Sequence, residues 1–335
     1  MKKIKLVLMF FLVAILVSGC RSDNENPIIE EELGFYSFGF SEFSTDVYVE
    51  MDDMNQFEYN GVPIRIPFHV EGWSEGIRSE FGWFLFVDGL PQLTQLETPE
   101  GELFREMSYF HNFALEYRER FDFYVVFSPI SGDIGDTVGM ISSSIFNPNF
   151  MPELIDEPIF ALFHTLGGMI SAEIIINNET TRGFNYSENV QMRPISQEVL
   201  DLEEGRLSTE GEVLETELAR LPRIVLYPQG HKIDIDYEGV ILSEDGKAQI
   251  SLVVYGGPEV TNRITFFVNH QPIQINGVDF IELQMQEGQM AAIDIELELS
   301  ELEQFNALYA MMMTIDEDYR VHGLYKTSSL LLVNE

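Results

Sequence analysis

From about residue 35 onward, apolar residues mostly alternate with polar ones instead of recurring every three or four. That is the period of a strand rather than a helix. Trp83, Leu85 and Val87 alternate in the first half, and Ile264, Phe266 and Val268 in the second. Successive strand side chains point to opposite faces, so each triplet belongs to one buried face and Trp83 to a core. Phe113, Leu115 and Tyr117 are expected on one strand and Phe121, Phe123, Val125 and Phe127 on the next. Within 101–121, Leu103, Met107, Phe110 and Ala114 also fit one helical face, which leaves 99–108 as the helical candidate of this half.

The pattern occurs twice. Phe86 and Phe267, Val87 and Val268, and Pro91 and Pro272 each stand 181 residues apart. Upstream, Tyr59-Asn60-Gly61-Val62 answers to Tyr237-Glu238-Gly239-Val240; downstream, "FHTLGGMISAEIIIN" answers to "VHGLYKTSSLLLVN". A duplicated unit of this size, made of short strands separated by turn residues, implies an all-β protein with two tandem Ig-like β-sandwich domains. The expected units are 35–185 and 223–335, joined by an acidic linker over 186–222. Residues 196–220 of that linker are rich in Glu and Leu and are expected to form short helices broken near Gly205 and Gly211.

The first residues follow a different logic. Lys2, Lys3 and Lys5 precede an unbroken apolar run from Leu6 to Val17, the layout of a secretory signal. Twelve helical residues reach about 18 Å, short of the roughly 30 Å hydrocarbon core, so the run is not expected to span a membrane. It leads into Val17-Ser18-Gly19-Cys20, which holds the only cysteine and resembles the lipobox of bacterial lipoproteins. The resemblance implies cleavage of a signal peptide over 1–19 and a diacylglycerol on the Cys20 thiol; the competing reading is an ordinary signal with an incidental cysteine. Under the lipobox reading, 20–34 is a lipidated polar tether and the protein sits on the extracytoplasmic face of the cell membrane. Two acyl chains anchor far more firmly than one, at about 0.8 kcal/mol per buried methylene. With Cys20 used for lipid, the sequence holds no disulfide and no thiolate for metal or catalysis.

Composition narrows the partners. An apolar content of 45% with 12% aromatics is that of folded domains. The formal charge of −37 becomes −40 once Lys2, Lys3 and Lys5 are removed. Such a surface repels phosphate, so no nucleic-acid partner is expected. Only Lys232, Lys247 and Lys326 follow the signal. Arginine keeps its charge where lysine loses it, so an alkaline or saline habitat and plain solubility by negative charge both remain readings.

Candidate chemistry is sparse. His164 and His322 occupy the same place in the two repeats, which favours a structural role, and His69, His111, His231 and His270 are scattered. None forms the paired spacing of zinc hydrolases. There is no Gly-x-Ser-x-Gly, and the serine run at 142–144 has no partner at a telling spacing. No catalytic residue, cofactor or metal is therefore assigned. Asp133 and Asp136 in "SGDIGDT", and Asp316 and Asp318 in "IDEDY", are weak calcium candidates that do not follow the EF-hand loop.

The aromatics give the binding hypothesis. Trp73 lies between glycines in "EGWSEG", where a turn would hold it at a sandwich edge, either exposed to a ligand or folded over its own sheet end. Phe84 stands where the second unit has Thr265, which suggests a face peculiar to the first unit. Together these features imply a membrane-anchored, non-catalytic binding or positioning module for a protein or glycan partner. The alternative is a surface hydrolase or glycan-processing enzyme on the same scaffold. Cys20→Ala should abolish lipoprotein-type processing and release the protein from the membrane fraction; unchanged cleavage and retention would defeat the anchor.

Overall fold

The computed structural model describes residues 35–41, 55–151, 164–180, 184–187, 190–206, 214, 218–219, 222–233, 239–242, 246–299, 302–316 and 323–334. Cys20, Asp318 and His322 lie outside them. No helix among the described residues is long and apolar enough to cross a membrane.

The first sandwich comprises β1 (Tyr36–Phe40), β2 (Gln56–Tyr59), β3 (Ile64–Gly72), β4 (Ser79–Val87), β5 (Leu90–Pro91), β6 (Thr94–Glu97), β7 (Leu103–Ser108), β8 (His111–Leu115), β9 (Arg120–Phe127), β10 (Thr137–Phe146) and β11 (Leu166–Ile176). One sheet runs β1-β3-β9-β6-β7; the other runs β2-β11-β10-β4-β5, with β8 also on β4. Ile66, Phe68, Phe123 and Phe127 of the first sheet meet Phe81, Trp83, Leu85 and Val87 of the second in a closed core. Trp83 is fully buried there and donates its indole N–H to Ser142 Oγ at 2.8 Å.

The second sandwich comprises β12 (Tyr186–Ser187), β13 (Met192–Pro194), α1 (Gln197–Arg206), β14 (Pro222–Pro228), β15 (Val240–Leu242), β16 (Lys247–Gly256), β17 (Thr261–Val268), β18 (Gln271–Ile273), β19 (Phe280–Gln284), β20 (Gln289–Glu298), β21 (Phe305–Thr314), β22 (Leu324–Lys326) and β23 (Leu330–Val333). Its sheets run β12-β19-β17-β21-β23-β15, with β18 on β17 and β22 on β21, and β13-β20-β16-β14. The described residues are thus all-β apart from α1 and helical residues at 214 and 218–219; Val199 of α1 packs with Val225, Tyr227, Val253 and Tyr255 on the outer face of the second sheet.

The repeat seen in the sequence is a repeat of topology. β4 turns into β5 with Phe86 opposite Pro91, and β17 into β18 with Phe267 opposite Pro272. The early strand pairs parallel with the last in both units, β2 with β11 and β15 with β23. Both hairpins turn through two residues at positive φ, Asp88-Gly89 and Asn269-His270, the backbone that matches strand twist in a two-residue loop.

Two expectations are corrected. Residues 103–108 form β7 rather than a helix; paired to β6 at the sheet edge, β7 leaves Leu103 and Met107 exposed, so their helical spacing reflects an open edge. The stretch 186–222 is not merely a linker, because β12 extends one sheet of the second sandwich and β13 the other.

The sandwiches stack through their inner sheets. Phe84, Phe86, Phe110, Ile141 and Ile145 from the first form one further core with Phe267, Tyr309, Met311, Met313 and Leu324 from the second. Phe86 lies 6.3 Å from Phe267, its counterpart 181 residues on, so equivalent positions meet as at a two-fold axis. Phe110 settles onto Gly82, where an added Cβ would lie 1.6 Å from the ring. Gly82→Ala should therefore lower stability by about 1–3 kcal/mol in urea unfolding. Gly205→Ala, which meets nothing within 4 Å, should cost nothing; equal behaviour of the two would contradict this packing.

Candidate functional site

Where the hairpin β4–β5 abuts the second sandwich, a cleft of about 370 Å³ opens. Asp88, Leu90 and the loop 130–136 come from the first unit, Phe184 and Tyr186 from the former linker, and Arg263 and Phe280 from the second unit. Clefts at the meeting of two domains are the usual place for a ligand.

Arg263 organises the charge. Its Nη1 donates to Asp88 Oδ2 and to the Asp88 carbonyl, both at 2.6 Å, and to Ser131 Oγ at 3.3 Å; its Nε donates to Glu282 Oε2 at 2.9 Å. Burial opposes its charge, but Asp88 and Glu282 prevail and raise the guanidinium above its ordinary value. Gly89 makes this approach possible: a Cβ there would lie 2.9 Å from Arg263 Cβ, and its φ of 77° suits glycine.

Beside this network stands an aromatic wall. The Tyr186 and Phe280 rings are parallel within 2° at 5.1 Å, and Phe184 meets Phe280 edge-on at 6.3 Å. The Arg263 guanidinium lies 5.4 Å from the Phe280 centroid. Tyr186 remains about half exposed, and Asp133 and Asp136 also line the cleft. The cleft offers an aromatic surface next to hydrogen-bond acceptors, a combination suited to a ligand with one apolar face and donor groups along its edge.

The sequence-derived candidates separate widely. Trp73 is half exposed at the far end of the first sandwich, with its indole N–H on Ser37 Oγ at 2.8 Å. Phe84 is corrected: it is fully buried, 4.7 Å from Phe110 and 5.8 Å from Phe267, and offers no surface to a ligand from solution. Asp133 and Asp136 do line the cleft, but Asp136 Oδ2 accepts the Asp133 N–H at 2.9 Å. Asp316 Oδ2 accepts the Thr261 N–H and pins the start of β17. Among the described residues, no three His, Cys, Asp or Glu side chains converge as a metal would need. Sequence reasoning missed Arg263, Tyr186 and Phe280. Arg263 carried a usable signal, as an arginine entering an apolar strand where the other repeat has Gly82.

A second cluster lies in the stacked faces. His270 shares Nδ1 with Tyr309 Oη at 2.9 Å and Nε2 with the Pro148 carbonyl at 2.7 Å, and stacks on Phe110 at 4.4 Å. His164 meets it edge-on at 5.0 Å. The Lys326 ammonium lies 4.4 Å from the Tyr309 centroid and donates to the Thr327 carbonyl and Ser329 Oγ. Burial pushes Lys326 down to about 7 and His270 from 6.5 to about 4, and burial foremost also holds His164 low. His111, buried against Thr94, is likewise lowered by burial to about 4. With both histidines enclosed, this cluster is a joint rather than an open site.

No protein-family model matches the chain, nor does any curated protein. Among solved structures, the N-terminal domain of PorA is 11% identical, covering 34% of this chain and 98% of that one, with a TM-score of 0.20. The CsuC–CsuE chaperone–tip adhesion subunit pre-assembly complex from archaic chaperone-usher Csu pili of Acinetobacter baumannii is 8% identical over 84% and 95%, with a TM-score of 0.19. A structure bearing on host cell surface retention of a 1.5-MDa bacterial ice-binding adhesin is 8% identical over 90% of this chain and 62% of its own, with a TM-score of 0.18. These likenesses are too slight to assign a function.

The joint makes a pH prediction. A histidine lowered on folding binds its proton more readily when unfolded, so its stability contribution is complete above the unfolded value of 6.5 and is lost as pH falls toward about 4. His270 and His111 should each withdraw about 3 kcal/mol across that window. His270→Asn, which tolerates the left-handed turn, should flatten this slope in melting curves; an unchanged slope would contradict the assignment.

Proposed function

We propose that the protein is a lipid-anchored, extracytoplasmic binding module that captures a glycan without turning it over. Cys20 carries the lipid, the following residues link it to the body, and the two stacked sandwiches hold the inter-sandwich cleft in fixed shape. The observation that carries this reading is the Tyr186–Phe280 stack beside the carboxylates of Asp133 and Asp136. A sugar ring has an apolar C–H face for Tyr186 and edge hydroxyls that donate to carboxylates. The acidic surroundings suit a neutral or amino sugar and oppose a phosphorylated or uronic one. With Arg263 fully engaged by Asp88 and Glu282, the cleft keeps its charge pattern before the ligand arrives, and preorganised sites lose less on binding.

The test is capture on an array of neutral, amino and acidic glycans, followed by recovery of the bound glycan. Binding of a neutral or amino glycan, recovered intact, is expected. Tyr186→Ala should weaken it about tenfold, matching the roughly 0.5–1.5 kcal/mol of an aromatic contact plus its buried area, and leave the melting temperature unchanged. Capture of acidic glycans alone, cleavage of the glycan, or full binding by Tyr186→Ala would each overturn the reading.

A further inference from the structure

The first sandwich has an aromatic end opposite the cleft. At that end β1, β4 and β9 begin and β3 and β8 finish, with Tyr36 opposite Gly72, Glu71 opposite Arg120 and Ser79 opposite Leu115. Phe35, Trp73 and Tyr117 project there at 62%, 50% and 38% exposure. They are built into the fold rather than hung from it. The Trp73 N–H donates to the Phe35 carbonyl at 2.7 Å, the Phe35 N–H to Ser74 Oγ at 2.5 Å, and the Arg118 N–H to the Gly72 carbonyl at 2.8 Å. Gly72 lets the Glu116–Glu119 turn lie this close, since a Cβ would fall 2.4 Å from the Glu116 carbonyl oxygen.

Three features identify what this end meets. Phe35 is the first described residue of the body, and the fifteen residues from Cys20 reach at most roughly 50 Å, so a lipid on Cys20 would lie within that reach of this end. Tryptophan, tyrosine and phenylalanine grouped at one end match the amphipathic rings that settle at the headgroup level. The local charge is also milder than that of the whole chain. Arg78 and Arg118 are exposed here and Arg120 is engaged by Asp122 and Glu71. Against Glu71, Glu75, Glu116, Glu119 and Asp122 these three arginines leave a modest negative balance, whereas the whole chain carries 19 basic against 56 acidic residues. A zwitterionic lipid surface carries no net charge to repel such an end, and its phosphates can accept from the two exposed arginines.

We infer that the Phe35–Trp73–Tyr117 end of the first sandwich rests in the headgroup layer of a zwitterionic membrane, placing the inter-sandwich cleft away from the bilayer. Phe35 and Trp73 sit among the glycerol and upper acyl segments while Arg78 and Arg118 meet lipid phosphates. β4 runs from this end to the cleft, and its nine residues span about 26 Å. The cleft therefore stands clear of the membrane by about that distance. The inference rests on the lipid anchor, but it is testable without it.

Cys20 is the only thiol, and Trp73 and Trp83 are the only tryptophans. The chain from Cys20 onward, checked for a cooperative melt, is coupled through that thiol to a maleimide lipid in phosphatidylcholine vesicles, with or without bromine on the acyl chains. Bromine quenches only rings that reach it. Emission should fall by about half of the Trp73 component in brominated vesicles, whereas Trp73→Phe, which leaves the buried Trp83, should be unquenched. A reporter at the other end, Tyr186→Trp in the Trp73→Phe background, should also be unquenched. Equal emission of the parent with and without bromine would overturn the inference, as would equal quenching of the two ends. Loss of glycan capture in Trp73→Ala together with unquenched Trp73 would overturn it in favour of a soluble ligand at this end. Because the coupling is chemical, its result is independent of cell fractionation of Cys20→Ala: release of the variant with no quenching upholds the anchor and sinks only the orientation.

Discussion

The strands β4, β10, β17 and β21 are buried on both faces at the contact between the sandwiches, and this double burial is the constraint on which the architecture depends. On each, alternate residues enter the core of their own sandwich while the intervening ones enter the core between the sandwiches. Neither half can present this face to water without exposing Phe84 and Phe86 or Phe267 and Tyr309. Stability of each half is therefore coupled to docking, and the two repeats behave as one body rather than as independent beads. The contact joins equivalent positions, Phe86 to Phe267, in the manner of a self-complementary dimer interface. Its two ends have diverged. At one, the Asp88-Gly89 turn meets Arg263; at the other, the Asn269-His270 turn meets Phe110 over Gly82, the counterpart of Arg263.

That divergence gives the two ends of a symmetric contact different characters. The Arg263 end stays open as a cleft because an ion network, rather than apolar side chains, fills it. The His270 end is closed by stacked rings. Lys326 and the joint histidines all lie in surroundings that disfavour their charged forms; the histidine contribution is complete above 6.5, while Lys326, lowered from 10.5 to about 7, favours the folded state more as the medium becomes alkaline. This agrees with one of the habitats that the scarcity of lysine suggests.

Much of the fold was legible because its signals are local. Period-two alternation marked the strands, and the matched Phe86–Pro91 and Phe267–Pro272 hairpins marked the duplication. The stacking was legible in principle: "GWFLFV" is apolar at both parities, the mark of a strand covered on both faces, yet Phe84 read as solvent-facing because its counterpart is the polar Thr265. Thr265 is itself buried. β12 and β13, of two and three residues, are too short to show a period, and only pairing with distant strands makes them strands. The cleft was hidden for a similar reason, since Tyr186, Arg263 and Asp88 converge from three separate segments. Trp73 was placed correctly at a sandwich edge by its flanking glycines.

The position of β1 has a mechanical meaning. Its ladder with β3 runs from Tyr36 opposite Gly72 to Phe40 opposite Phe68, so β1 is paired along its whole length. A pull applied to the first residue of β1 along the strand direction would load it lengthwise. Ladder hydrogen bonds lie perpendicular to the strands, so such a load shears all of them together instead of opening them one at a time. An antiparallel strand loaded from its end thus holds to the body against tension along its own axis.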